Sequence, residues 1–122
     1  MEERYDSAEA ALRAGEYDEA EAHWQDLVRR YPEHALADLA LYELAQLASR
    51  RGRGAEAMRW VELVLRRDRD PQLREPASWL RCTLLKDRPD ELASCLEEFR
   101  AAFPQSPHEA RAREWLDSRG QQ

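Results

Sequence analysis

No apolar run in this chain approaches the roughly 20 residues that span a bilayer. Its opening, MEERYDSAEA, also lacks the basic and then apolar order of a secretory signal. Membrane insertion is therefore not expected, and the cytoplasm is the default location unless a signal has been removed. Strand-forming runs are nearly absent, and glycine is limited to four residues. Cysteine is scarcer still. Cys82 and Cys95 have neither metal-site nor redox-motif spacing, and both fall among apolar helical residues. Both are expected to stay reduced and to pack as small hydrophobes.

Catalytic constellations are missing as well. His23, His34 and His108 are far apart and form no HExxH pair, and no glycine-rich phosphate loop is present. Serines and cysteines have no evident base beside them, and Gly52-Arg53-Gly54 reads as a turn between helices. Asp18-Glu19 and Asp90-Glu91 stand where helices begin, so that their charge meets the positive end of the helix dipole. A non-catalytic protein with no cofactor and no metal is expected.

What is present is a helical composition. The 122 residues suit one domain, 36% are charged and 43% apolar, and Ala, Leu, Glu and Arg dominate. The net charge of −6 is uneven. Residues 1–48 hold 12 acids and 4 bases, residues 49–88 hold 6 acids and 11 bases, and residues 89–122 hold 7 acids and 4 bases. A basic middle between acidic ends lacks the net basic face that nucleic acid requires. It points either to internal charge pairing or to a partner read by arginines.

Ala20, Trp24, Leu27, Val28 and Tyr31 share one face of a helix starting near Asp18, and Pro32 ends it. Tyr5, Ala8, Ala11 and Leu12 mark a preceding helix, with Gly15 at its left-handed cap. This hairpin recurs. GEYDEA at 15–20 has counterparts in GRGAEA at 52–57 and DRPDEL at 87–92. Behind them come the stripes Ala57, Val61, Val64, Leu65 and Leu92, Leu96, Phe99, Phe103. ALADLALYELAQLAS, residues 35–49, is apolar on most of its circumference and should be the most buried helix. A third first helix is placed from about Glu75, burying Trp79, Leu80, Thr83 and Leu84, with Pro76 in its first turn. Ser106 caps a terminal helix with Pro107 at its first position and Ala110, Trp115 and Leu116 as its apolar contacts. The expectation is an all-α single domain of seven helices: hairpins over about 3–32, 35–70 and 73–104, then a capping helix over 106–118.

At this point the chain resembles the tetratricopeptide repeat family. Ala20, Trp24 and Pro32 match its pattern of alanine, large apolar residue and proline, and Leu92, Leu96 and Pro104 match it with leucine for alanine. Arg4, Ser7 and Ala8 depart from the family's tryptophan, leucine and glycine, Arg69 replaces the second proline, and Asp87 replaces the third turn glycine. The stretches YPEHALADLALYELA and FPQSPHEARAREWL are similar to longer-spaced bacterial repeats of envelope-assembly proteins, which keeps a periplasmic origin open.

The resemblance implies a right-handed superhelical array whose first helices line a concave groove for a segment of another protein. The inner-face positions carried over are Tyr5, Glu9, Leu12 and Arg13, then Leu39, Tyr42, Glu43, Gln46 and Arg50, then Arg74, Ser78 and Arg81. Tyrosine and arginine commonly anchor interfaces, which singles out Tyr42 and Arg81. The family's clamp of lysines and asparagines around a chaperone tail would fall where Tyr5, Glu9, Glu43, Arg74 and Ser78 stand, and Arg74 alone fits, so a chaperone tail is not expected, while an arginine-lined section of the groove could still take an acidic segment of another protein. Outside any such groove contact, Arg50, Arg51, Arg53, Arg59, Arg66, Arg67 and Arg69 read as a solvated face with pairs such as Glu62 and Arg66 at i, i+4. The alternative is a structural module that self-associates or stacks on further repeats, because no cap precedes the first helix and a hydrophobic end would need covering. An exposed Trp60 or Trp115 in an apolar patch would mark a contact surface.

Overall fold

A computed structural model describes residues 2–120, and every regular element among them is a helix. In chain order these are α1 (Glu2–Arg13), α2 (Tyr17–Arg30), α3 (Ala35–Arg50), α4 (Gly54–Arg67), α5 (Pro71–Thr83), α6 (Pro89–Ala102) and α7 (Glu109–Gly120). Successive helices pack as the hairpins α1–α2, α3–α4 and α5–α6, each joined to the next element, with α3 also touching α1 and α5.

The backbone repeats its punctuation. The side chains of His34, Asp70 and Ser106 each accept a hydrogen bond, at 3.0 Å, from the backbone N–H two residues on. The three caps are spaced 36 residues apart, and each satisfies a donor that the following helix leaves open. The turns inside the first two hairpins are also alike. Gly15 and Gly52 take φ of +79° and +73°. In each case the next residue's N–H reaches back five positions, Glu16 to Ala11 at 2.8 Å and Arg53 to Ala48 at 2.9 Å. This is a helix stop that needs a left-handed residue. The third turn has no such residue.

Side chains from adjacent helices close three contiguous cores. Tyr5, Ala8, Ala20, Trp24 and Leu27 of the first hairpin bury against Ala37, Ala40, Leu44 and Leu47 of α3. Leu41 and Ala45, on the other flank of α3, meet Val61, Val64, Leu73 and Ala77. Cys82, Leu85, Cys95, Leu96, Phe99 and Ala112 form the third core. The central helix is buried as its composition requires: Ala37, Ala40, Leu41, Leu44, Ala45, Leu47 and Ala48 are buried, and Leu36 is half-buried. Trp60 and Trp115 are half-buried and pack on these cores. Tyr31 was expected on the buried stripe of α2 but is exposed, since it lies past the helix end with φ of −130°.

Several other expectations are corrected. Cys82 and Cys95 are joined in a disulfide between α5 and α6. The fifth helix starts at Pro71, not near Glu75, because Asp70 caps it and Pro71 supplies a preset φ for its first turn. Pro76 consequently sits inside the helix. The longer register buries Leu73, Ala77 and Cys82, leaving Trp79, Leu80, Thr83 and Leu84 half-buried. Ser106 does cap, but Pro107 stays in the turn before α7, and Ala112, not Ala110, turns inward. In the third stripe Leu92 is half-buried and its neighbour Ala93 is buried.

The basic middle is not simply a solvated face. Asp38 is 4% exposed and receives Arg67 Nε at 2.6 Å and Arg69 Nη2 at 3.3 Å. Both arginines also donate to the carbonyl of Pro32, and Arg69 reaches Glu33 at 2.7 Å. Arg51 pairs with Asp18 at 3.1 Å and Glu21 at 3.7 Å, while Arg53 lies 3.8 Å from Glu21.

Candidate functional site

On α3, Leu39, Tyr42, Glu43, Gln46 and Arg50 recur at helical spacing, facing away from the fully buried stripe of Ala37, Leu41, Leu44 and Ala48. Leu39 packs against both the first and second cores, so it covers the seam between hairpins. Tyr42 is half-buried on the second core, and its hydroxyl accepts a hydrogen bond from the Gln46 amide at 3.0 Å. Its ring is thus held by packing and its hydroxyl by a neighbour one turn on. Arg50 is exposed at the end of this strip.

The first helix contributes less than expected. Tyr5 is only 9% exposed and belongs to the first core, which leaves half-buried Glu9 and Leu12 and exposed Arg13 as accessible groups. Charge nevertheless links the two helices. Burial raises the Glu43 carboxyl above its ordinary range, nearby Glu9 raises it further, and Arg50 opposes the shift. Burial, then Glu43 and Glu9, push the Tyr5 hydroxyl up. For Tyr42 the causes are burial, then Glu43 and Glu75, against Arg50. Glu75 of α5 is therefore part of this electrostatic neighbourhood. The sequence carried a signal for it, since Glu75 stands 36 residues after Leu39, the spacing of the helix caps.

Arg74, Ser78 and Arg81 are brought together elsewhere. They line a cavity of about 420 Å³ whose other walls include Leu65 and Asp68 at the end of α4 and Phe99 and Ala102 of α6. Those walls belong to second helices of hairpins. Arg74 donates to Asp68, and Arg81 Nη1 lies 3.3 Å from the Cys95 sulfur in the disulfide. The two arginines expected to read an acidic segment therefore already have partners within the chain.

The histidines have local duties. His23 Nδ1 lies 3.4 Å from Arg4, His34 caps α3, and His108 stacks on Trp79 with ring centroids 4.7 Å apart. Among the described residues no three His, Cys, Asp or Glu side chains are grouped to hold a metal ion, and no helix is long and apolar enough to cross a membrane. The outer face of the first hairpin carries Arg4, Ser7, His23 and Arg30. Tyr31, which is exposed, lines the same cavity.

Residues 11–75 match the family model described as tetratricopeptide repeat. That span runs from the end of α1 into α5 and includes both glycine turns, the Ala20–Trp24 core pair and the whole of α3. No curated protein matches the chain.

Proposed function

Because the chain belongs to the tetratricopeptide repeat family, whose repeats generally mediate protein–protein interaction, we propose that it is a non-catalytic module that binds a segment of another protein along the α1–α3 face. The observation that carries this reading is the state of Tyr42: a half-buried aromatic, seated on the core, hydroxyl held by Gln46, and flanked by exposed Arg50. A tyrosine fixed in this way loses little conformational entropy on contact with a partner. Leu39 and Leu12 supply apolar area, and Glu9, Glu43, Gln46, Arg13 and Arg50 supply polar contacts. Arg74, Ser78 and Arg81 offer a separate surface. The alternative is a structural module that self-associates or stacks on further repeats.

The Cys82–Cys95 bond supports residence in an oxidising compartment over the reducing cytoplasm, where structural disulfides are rare. A photo-crosslinking residue placed at Gln46 in native extract, compared with one at Glu98, tests the binding face. A partner captured from position 46 and lost with Tyr42→Ala, in a protein that still unfolds cooperatively, is the expected result. Equal capture from both positions, unaffected by Tyr42→Ala, would sink the proposal.

A further inference from the structure

Residues 1–48 are the most acidic part of the chain, with only four basic residues, and three of them converge on one carboxylate. Asp26 of α2, its side chain 13% exposed, faces Arg4 Nη2 of α1 at 3.3 Å and Arg30 Nε at 3.1 Å, and also accepts from Arg29. The hydrogen bond from Arg29, with the charges of Arg30 and Arg4, holds Asp26 below the usual carboxylate range. One carboxylate thus gathers three guanidinium groups.

Beside it, Glu3, Arg4, Ser7, His23, Arg30 and Tyr31 line a cavity of about 230 Å³ that is open to solvent and built from the first hairpin alone. Arg30 uses only its Nε–H on Asp26, and its two terminal amino groups make no other hydrogen bond among the described residues. A guanidinium tied at Nε still presents its outer N–H pair to a planar anion. Arg4 divides its terminal groups between Asp26 at 3.3 Å and His23 at 3.4 Å, both long contacts. Of the charged groups that line the cavity, two guanidiniums, Arg4 and Arg30, stand with one carboxylate, Glu3, while Asp26 and Arg29 lie beside it as an ion pair.

We infer that this cavity is a carboxylate-binding site on the outer face of the first hairpin, and that its ligand is an acidic segment of a partner protein. Arg30 and Arg4 hold the carboxylates and Asp26 is a positioning residue. The site is independent of the Tyr42 face. Because the whole chain carries −6, diffuse electrostatics repel an acidic peptide, and only a local cluster of this kind attracts one.

The test is fluorescence anisotropy of a labelled hexaglutamate peptide at low ionic strength. Arg4→Gln with Arg30→Gln should weaken binding about tenfold or more, the scale of lost charge-assisted hydrogen bonds. Arg66→Gln on the exposed side of α4 should leave it within about twofold, a surface charge change far from the site. Arg30 is 58% exposed at its side chain, so the single Arg30→Gln variant keeps the fold and should still weaken binding; circular dichroism checks this. Equal loss in the Arg66 control, or no loss in either Arg30 variant, overturns the inference. Displacement of the peptide by inorganic phosphate at equal concentration also overturns it, since the site would then take small anions in preference to an acidic chain.

Discussion

Opening the Cys82–Cys95 bond should destabilise the protein by about 3 kcal/mol. The bond spans 13 residues of sequence, and a cross-link that closes a loop of about that length removes roughly 10 cal/mol/K of entropy from the unfolded chain, or about 3 kcal/mol at 25 °C. Its location gives the loss structural weight. The first two hairpins close through Gly15 and Gly52 in left-handed turns, whereas the turn between α5 and α6 has no left-handed residue. The disulfide does for the third hairpin what the glycine stop does for the others: it holds two antiparallel helices together beside their turn. Since α7 packs on α6, the terminal helix depends on the same link. For a chain of this size the melting temperature should fall by about 10 °C.

Urea unfolding followed by circular dichroism, with and without reductant, measures the effect, and Cys82→Ala with Cys95→Ala repeats it without reductant. The midpoint should drop in both cases, and the denaturant slope should rise slightly because the freed chain exposes more surface on unfolding. Two reactive thiols in the native protein, or a midpoint indifferent to reductant, would refute the reasoning.

Trp24→Ala should cost about 3–5 kcal/mol in the same urea assay, because the indole is fully buried in the first core. Trp24→Phe should cost clearly less, since the indole N–H finds no protein acceptor to lose. Gly52→Ala should lose about 1–2 kcal/mol for the left-handed backbone alone, as nothing lies within 4 Å of the added methyl group. Gly54→Ala, equally uncrowded but at the start of a helix, should be neutral or stabilising by up to about 1 kcal/mol. Glu43→Gln should show a pH signature. A carboxyl raised in the folded state binds its proton more tightly there than in the unfolded chain, so its contribution to stability falls as pH climbs from the ordinary carboxylate range through the folded value. The variant should therefore gain on the parent at pH 7 and match it near pH 3; a constant difference between the two pH values would show that Glu43 does not titrate in this way.

Much of the fold was legible because its determinants are local. A glycine that must take positive φ, a proline that ends a helix and an apolar residue every third or fourth position all act within one turn, so Gly15, Pro32 and Trp24 announced the first hairpin without reference to the rest of the chain. What could not be read depends on approach between helices. The disulfide needs α5 and α6 to be antiparallel at a depth that sets Cys82 against Cys95. The start of α5 was missed for a simpler reason: Asp70-Pro71 is a cap followed by a first helical residue, and Pro76 drew the boundary to itself. Leu39, Tyr42, Glu43, Gln46 and Arg50 share one face of α3, as spacing alone predicts. Arg74 and Arg81 turned out to line another cavity because the face of a less regular helix cannot be fixed from its own residues.

Charge shows the limit most clearly. Counted along the chain, residues 49–88 carry an excess of bases, which allows either internal pairing or a partner read by arginines. In the folded chain four of those bases, Arg51, Arg53, Arg67 and Arg69, meet Asp18, Glu21, Glu33 and Asp38 of the acidic first segment. Partners such as Arg69 and Glu33, 36 residues apart, sit about one repeat apart, so stacking hairpins brings the basic segment against the acidic one. Arg74 is taken locally, by Asp68 six residues before it in the same segment. At the acidic end Asp26 gathers Arg4, Arg29 and Arg30, and a single carboxylate cannot neutralise all three. The period of the fold therefore decides which charges are paired inside the chain, and of the two readings that the segment totals allow, internal pairing is the one that Arg51, Arg53, Arg67 and Arg69 follow.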